Sequence, residues 1–447
     1  MFSANNLLQS WGRYPQVAAS HVIPIFWRDE VPNLAQLELP VLPYGCGRSY
    51  GDSCLNENGI LLDMSHLTRF LSFDVDKGLL RCEAGVMLAD ILELVVPHGW
   101  FLSVTPGTKF VSVGGAIAND VHGKNHHKAG TFGCHVTCFE LLRSDGRRLL
   151  CSPEENADLF RATIGGLGLT GVILWAEIRL LPMPSPLINM ERIRFGSLRE
   201  FMDIAAASDQ DFEYTVAWVD CLASGKRLGR GFFIRGNRVE RETPAVIKKR
   251  MSLTVPLDFP SWILNMQTIK AFNTAYYNSQ QKKCIRKTVP YDPFFYPLDA
   301  IYQWNRMYGK HGFFQYQCIV PYRDGYEVMK ELLERISYSG QGSFLSVLKT
   351  FGDVPSPGML SFPRPGLTLA LDFANQGGKT YELLEDLDKV VCQSGGLVYP
   401  AKDARMSPES FQIYFPKWRE FAQYIDPNFS SSFWRRVAVT TVERIQI

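Results

Sequence analysis

Residues 111–130, VSVGGAIANDVHGKNHHKAG, set small side chains directly before a cationic run. Gly114, Gly115 and Ala116 let a ligand approach the main chain, and consecutive free N–H groups can cradle phosphate. His122, Lys124, His126, His127 and Lys128 then supply charge that an anion would meet. Two readings stand open: an exposed loop with solvated His and Lys, or the wall of a cofactor pocket. A second set of candidates lies in strand-like segments of the last third of the chain. In 313–320, Gln315 and Gln317 share one face, whereas Phe314, Tyr316 and Cys318 share the other. The glutamines are either solvated or placed to bond sugar hydroxyls. In 343–351, Lys349 falls on the face of Leu345, Val347 and Phe351, either snorkelling or acting as an anion partner or perturbed base. In 368–373, Thr368, Ala370 and Asp372 oppose Leu369, Leu371 and Phe373, and the small face suits a ligand wall.

These groups need elements to hold them. Residues 39–52, LPVLPYGCGRSYGD, read as a short strand entering a glycine turn that carries Arg48 and Tyr50. Strands are expected at 60–64 and 79–84, a helix over 87–96 stopped by Pro97, and a turn at 106–108. Segments 139–142 and 148–151 around Asp145-Gly146 predict a hairpin. Ser152-Pro153-Glu154-Glu155 predicts a helix start, with Ser as cap and Pro at the first position, running to Thr163 or Ile164. Residues 166–171 match GxGxxG, yet a helix precedes them and a long strand, 172–180, follows. A Rossmann turn needs the opposite order, so NAD binding through such a turn is excluded. Turns around Gly47, Gly115 and Gly168 offer more backbone donors than one phosphate requires, which fits a dinucleotide and favours FAD.

The chain has 447 residues, long enough for two domains, with 46% hydrophobic and 21% charged residues. Net charge is +2, which gives no bulk reason to expect nucleic acid or an anionic membrane surface as partner. The first sixteen residues lack a signal-peptide pattern, and no run is long enough to span a bilayer. Ten cysteines are scattered without a CxxC, so neither a disulfide framework nor a metal site is expected. The expected location is cytoplasmic, with peripheral contact at the inner face of the membrane left open. In residues 253–277 large apolar side chains are interrupted by Pro256 and Pro260. They read either as a helix docked on the core or as a mobile apolar loop contacting lipid.

The motifs GRSYGD (47–52), PGT (106–108), VGGAIANDVHGKNHHKAGTFG (113–133) and GGLGLTG (165–171) resemble the FAD domain of vanillyl-alcohol-oxidase-type, PCMH-type flavoproteins. With FFYPLD (294–299), WNRMYG (304–309), GFFQYQCIVP (312–321), SFLSVLKTFG (343–352), SFPRPG (361–366) and YPAKDARMS (399–407), the likeness spans nearly the whole chain. It is greatest to the decaprenylphosphoryl-β-D-ribose 2′-oxidases. The resemblance implies an α+β, two-domain fold: a PCMH-type FAD domain over 1–185, a substrate-binding cap on an antiparallel sheet over 186–396, and a segment 397–447 returning to the FAD domain, with 434–437 rejoining it. It implies FAD held by Pro43, Gly45, Gly47, Arg48, Ser49, Tyr50, Gly51, Asp52, Ser53, Gly107, Ser112, Val113, Gly114, Gly115, Asn119, Val121, His122, Ile173 and Tyr399. Many sugar oxidases of the superfamily carry a flavin-linked His where this chain has Arg48, so non-covalent FAD is expected.

Catalytic roles are implied for Lys402, His122 and Lys349, and substrate contacts for Lys124, Gln315, Gln317, Thr368 and Ala370. From sequence alone Lys402 reads equally as a surface lysine; the resemblance puts it at the flavin, facing the substrate hydroxyl. Whether a lysine takes the proton or stabilises an alkoxide is left open. Mycobacterial members carry Cys at the position of Ala370, so no thiol chemistry is expected there, and Phe295-Tyr296 also departs from the group's pattern. The implied activity is oxidation of a polyprenylphosphoryl pentose to its 2-keto form, passed to a separate NADH-dependent keto-reductase. An oxidase of a soluble sugar, alditol, aldonolactone or nucleotide sugar is the alternative. A flavin reductase acting on a double bond, and a flavin-binding protein without turnover, are the readings from other classes.

Overall fold

The computed structural model describes residues 8–240, 252–260 and 262–438. Its first part is built on two sheets. Strands His21–Pro24, Ile60–Asp63 and Val41–Tyr44 pair in parallel, with Ile60–Asp63 in the middle. The second sheet is antiparallel and centred on Val172–Pro182, which pairs with Leu79–Glu83 on one side and Val136–Leu142 on the other. Phe70–Asp74 and Arg148–Cys151 form its edges. Trp100–Leu102 pairs with the far end of the central strand. The alternation in VILWAEIRLLP explains that position: Leu174, Ala176, Ile178 and Leu180 are buried, while Glu177 and Arg179 are not.

Past Pro182 the chain enters an eight-stranded antiparallel sheet. Its order is Cys284–Pro290, Leu187–Phe195, Gly231–Arg238, Tyr214–Val219, Ser346–Phe351, Gly366–Ala374, Phe313–Val320, Leu397–Val398. Helices Gly325–Ser339 and Gly378–Gln393 pack against its Phe313–Val320 strand. That strand is buried on both faces for different reasons. Phe314, Tyr316 and Cys318 enter the core under the helices, whereas Gln315 and Gln317 face a cavity. Strand Leu397–Val398 still belongs to this sheet, and the return to the first sheets begins at Tyr399.

Three expectations change in detail. The helix expected from Ser152 begins at Ala157 and ends at Thr163. Ser152 Oγ instead accepts from the N–H groups of Glu154 and Glu155, closing a separate turn, and Asn156 sits at φ 49°. The helix expected over 87–96 spans Leu88–Val95, with Pro97 inside a following 3-10 turn, Val96–His98. The glycines at 114 and 115 lie in a short helix, Val113–Ala118, whose cap Ser112 accepts from Gly115 N at 3.3 Å.

Candidate active site

A cavity of about 700 Å³ lies between the glycine turns of the first part and the inner face of the eight-stranded sheet. That volume is within the usual range of ~300–1,000 Å³ for small-molecule sites. The first turn follows directly from Val41–Tyr44. Gly47 has φ +59°, and a Cβ there would strike Tyr44 Oη and the carbonyl of Gln9, so only glycine fits. Pro43, Gly45, Gly47, Arg48, Ser49, Tyr50 and Ser53 line the cavity. So do Gly107 from the 106–108 turn, Ser112, Gly114, Gly115, Asn119 and Val121 around the second glycine turn, and Gly168, Gly171 and Ile173 at the third and the strand it enters. Tyr399 closes this wall, its hydroxyl donating to the carbonyl of Asn119 at 2.7 Å.

Three residues expected at the cofactor do not line the cavity. Asp52 is turned away to accept from Arg436 Nη2 and Nε at 2.7 and 2.9 Å. Gly51 lies against Asp403, whose carbonyl would sit 1.5 Å from a Cβ. Val113 is in the core, and its N–H donates to Val86 O.

The lining fits a large polar cofactor. Ser53 Oγ, Arg48 Nε and His122 Nδ1 are buried at the cavity with no hydrogen-bond partner among the described residues. A Cβ built on Gly107 would meet nothing within 4 Å, so that backbone is open to a ligand. Arg48 stacks on Trp11 at 4.0 Å, and burial lowers its pKa. These groups would hold FAD, the Gly and Ser N–H groups at its phosphates and Arg48 at the turn's rim.

The opposite wall carries the reactive groups. Strand alternation sends Gln315, Gln317, Lys349, Thr368 and Ala370 inward, and the 3-10 turn Pro400–Lys402 brings Lys402 beside them. Lys402 Nζ sits 3.8 Å over the Tyr50 ring. Burial pushes its pKa down to about 7, with nearby Asp372 pulling the other way. Lys349 is pushed to about 7 by burial, then by Lys124 and Lys402; Lys124 is pushed to about 8 by burial, opposed by Asp299. Lys349 Nζ donates to Gly123 O at 3.3 Å, and Lys124 Nζ to Phe295 O at 2.9 Å.

Gln317 Nε2 lies 2.9 Å from His122 Nε2 and 3.3 Å from Thr368 Oγ1. An amide nitrogen only donates, so His122 Nε2 accepts and the neutral ring carries its proton on Nδ1. Burial, with Lys349, His126 and Lys402, holds His122 well below its ordinary pKa. His126 and His127 do not line the cavity. His126 packs on Phe351 with centroids 4.4 Å apart, and His127 Nε2 bonds Phe212 O.

Asp372 was visible in the sequence only as a neighbour of Thr368 and Ala370. It is fully buried behind the wall, accepting from Gln315 Nε2 at 2.6 Å and Tyr308 Oη at 3.4 Å. Burial pushes its pKa up to about 7. Its two-residue spacing from Thr368 and Ala370 was the available signal. Trp11, which stacks Arg48, carried none. Among the described residues no His/Cys/Asp/Glu group could hold a metal ion.

A family model described as an FAD binding domain matches residues 30–152. The chain is 37% identical over 412 residues to decaprenylphosphoryl-β-D-ribose oxidase of Mycolicibacterium smegmatis, covering 89% of each protein. It is 32% identical over 372 residues to an uncharacterised protein of Streptomyces coelicolor, covering 79% of this chain and all of that one. Similarity to human Δ(24)-sterol reductase is confined to 143 residues at 33% identity, 32% of this chain and 27% of the reductase.

Proposed function

The chain belongs to the decaprenylphosphoryl-β-D-ribose oxidase family, and on that premise we propose that it oxidises the 2-hydroxyl of a polyprenylphosphoryl pentose to the 2-keto sugar. It is an FAD-dependent oxidoreductase acting on CH–OH donors. The observation that carries the reading is a single cavity joining three glycine turns to Lys402, Gln315 and Gln317. When bound, the flavin supplies the two-electron acceptor for the carbon-bound hydrogen. The residues do the rest. Gln315 and Gln317 hold the sugar, and Lys402, as a neutral amine, takes the hydroxyl proton; a base with a pKa near the working pH suits that task. The acceptor nitrogen of His122 is occupied by Gln317, so His122 orients rather than abstracts. The product is a ketone that a separate NADH-dependent reductase would reduce from the opposite face, in the second half of an epimerisation toward the arabinose donor. Anaerobic mixing with polyprenylphosphoryl ribose is expected to bleach the flavin, and free sugars far less. Equal bleaching by free sugars would move the assignment to a soluble-sugar oxidase.

Non-covalent attachment follows from the first turn. Arg48 offers no nucleophile, and burial raises the thiol of neighbouring Cys46 above its ordinary pKa. Acid precipitation should release all flavin into the supernatant; yellow colour retained in the pellet overturns this.

The lipid chain has a route out. Phe272 and Tyr276 of helix Met266–Asn278 line the cavity, and Phe272 is also half exposed. Leu257 and Trp262 are exposed by 74% and 73%, with Leu253 and Met266 beside them in sequence; Ser261 lies outside the described residues. Among the described residues no helix is long and apolar enough to cross a membrane. Exposed apolar side chains close in sequence to the cavity-lining Phe272 support peripheral contact with a lipid surface. Leu257→Asp with Trp262→Asp should lower turnover of vesicle-borne substrate by ~10-fold or more relative to a short-chain analogue, because each anchor is worth ~1.5–3 kcal/mol. An unchanged ratio removes these side chains from substrate delivery.

A further inference from the structure

The inner face of the eight-stranded sheet changes character along its width. On Phe313–Val320 and Gly366–Ala374 it presents Gln315, Gln317 and Thr368; on Tyr214–Val219, Gly231–Arg238 and Leu187–Phe195 it presents Val216, Ile234 and Met190, with the Arg192 guanidinium laid over the Phe232 ring at 3.7 Å. The strand between these halves is Ser346–Phe351, where Lys349 stands opposite Thr368 in register and Val347 begins the apolar side. Lys124 reaches the same boundary from the other wall, its carbonyl bonded to the N–H of Thr215 on the first apolar strand. Two ammonium groups therefore flank the line where a polar trough becomes an apolar one.

Neither lysine has an ion-pair partner among the described residues. Lys349 bonds only the carbonyl of Gly123 and feels other cations. Lys124 bonds the carbonyl of Phe295, with Asp299 acting on it from beyond contact. Mutually repelling buried cations without a carboxylate are poorly accommodated unless an anion joins them. Resting on the function argued above, we propose that Lys349 and Lys124 form a clamp for the substrate's phosphodiester, with the sugar on the glutamine side and the first isoprene units over Val347, Val216 and Ile234. The chemistry of the substrate requires this order, because the phosphorus is one sugar carbon and one oxygen from the reacting carbon. Adjacent strands are about 4.8 Å apart, so a clamp on Ser346–Phe351 lies one strand from Thr368 and two from Gln317. The backbone donors of the glycine turns would serve the flavin's own pyrophosphate. This assigns Lys349 to binding rather than to the reacting hydroxyl.

The test uses the FAD-loaded full chain with three probes: farnesylphosphoryl ribose, methyl β-D-ribofuranoside and inorganic phosphate. In Lys349→Met, the efficiency of anaerobic flavin reduction by the phosphodiester relative to the methyl riboside should fall by ~10–100-fold, chiefly through weaker binding, as expected for a lost charge-assisted hydrogen bond. Lys349→Arg should restore most of that preference, and Lys124→Met should reproduce part of the loss. Inorganic phosphate should compete with substrate in the wild type and lose its effect in Lys349→Met. An unmoved preference overturns the clamp. Loss of bound FAD in Lys349→Met also overturns it, by assigning the lysine to the cofactor. If neither sugar reduces the wild-type flavin, the proposed reaction fails on its own; the phosphate-induced change in the flavin spectrum, and its dependence on Lys349, then decides the subsite separately.

Discussion

Lys402→Ala should retain its flavin and lose the ability to have it reduced. The limiting rate of anaerobic bleaching is expected to fall by ~10²–10⁴-fold, the span associated with removing a positioned general base. Lys402 reaches the cavity from a 3-10 turn, with its ammonium over Tyr50, and contributes no backbone donor to the glycine turns. Cofactor content is therefore a clean internal control. The pH profile separates its two chemical roles. Burial places the pKa at about 7, so the amine is protonated below that value and free above it. As the base, Lys402 gives a rate that rises with pH through about 7 and then levels; as a cation steadying an alkoxide, it gives a rate that falls through the same range. With Lys402 proposed as the base, the rising limb is expected, and Lys402→Ala should abolish it. Bleaching of Lys402→Ala at the wild-type rate would remove the residue from the chemistry.

The second large effect lies away from the reacting atoms. Arg436 on helix Ser432–Val437 binds Asp52 and Asp403, both nearly fully buried. Arg436→Ala leaves two buried carboxylates facing each other and should cost about 3–5 kcal/mol, read from chemical denaturation at neutral pH. Because Asp52 ends the first glycine turn and Asp403 follows Lys402, FAD content should fall in the same variant. Wild-type stability with full FAD would show that this triad is dispensable. Asp52 thus braces the first glycine turn from outside the cavity.

That reassignment shows where sequence reasoning ends. Strand alternation, which is local, put Gln315 with Gln317, Lys349 with Val347, and Thr368 with Ala370 on shared faces, and the family resemblance pointed those faces at the pocket. The inverted GxGxxG was legible for the same reason: helix Ala157–Thr163 and strand Val172–Pro182 are neighbours of the turn. Asp52 was not, because its partner is 384 positions away and nothing local distinguishes it from Ser53, which does line the cavity. Asp372 was seen on the correct face but without a role, which comes from Gln315 and Tyr308 on other segments. The helix start at Ser152 was misplaced because a serine followed by Pro-Glu-Glu caps a turn as readily as a helix. In 253–277 the structure contains the docked helix of the first reading. Helix Met266–Asn278 docks through Ile269, Asn273 and Tyr277 and leaves Met266 and Phe272 outward.

The return of the chain has a consequence for biosynthesis. The first glycine turn is held by residues made much later: Tyr50 N–H donates to Ala401 O, Val41 N–H to Asn428 O, and Arg436 clasps Asp52. Tyr399 and Lys402, which complete the cavity wall, are also late. On the ribosome, the amino-terminal sheets emerge early but lack these contacts until residues 399–436 have left the exit tunnel. A chain cut before Tyr399 would therefore present the turn without its clasp.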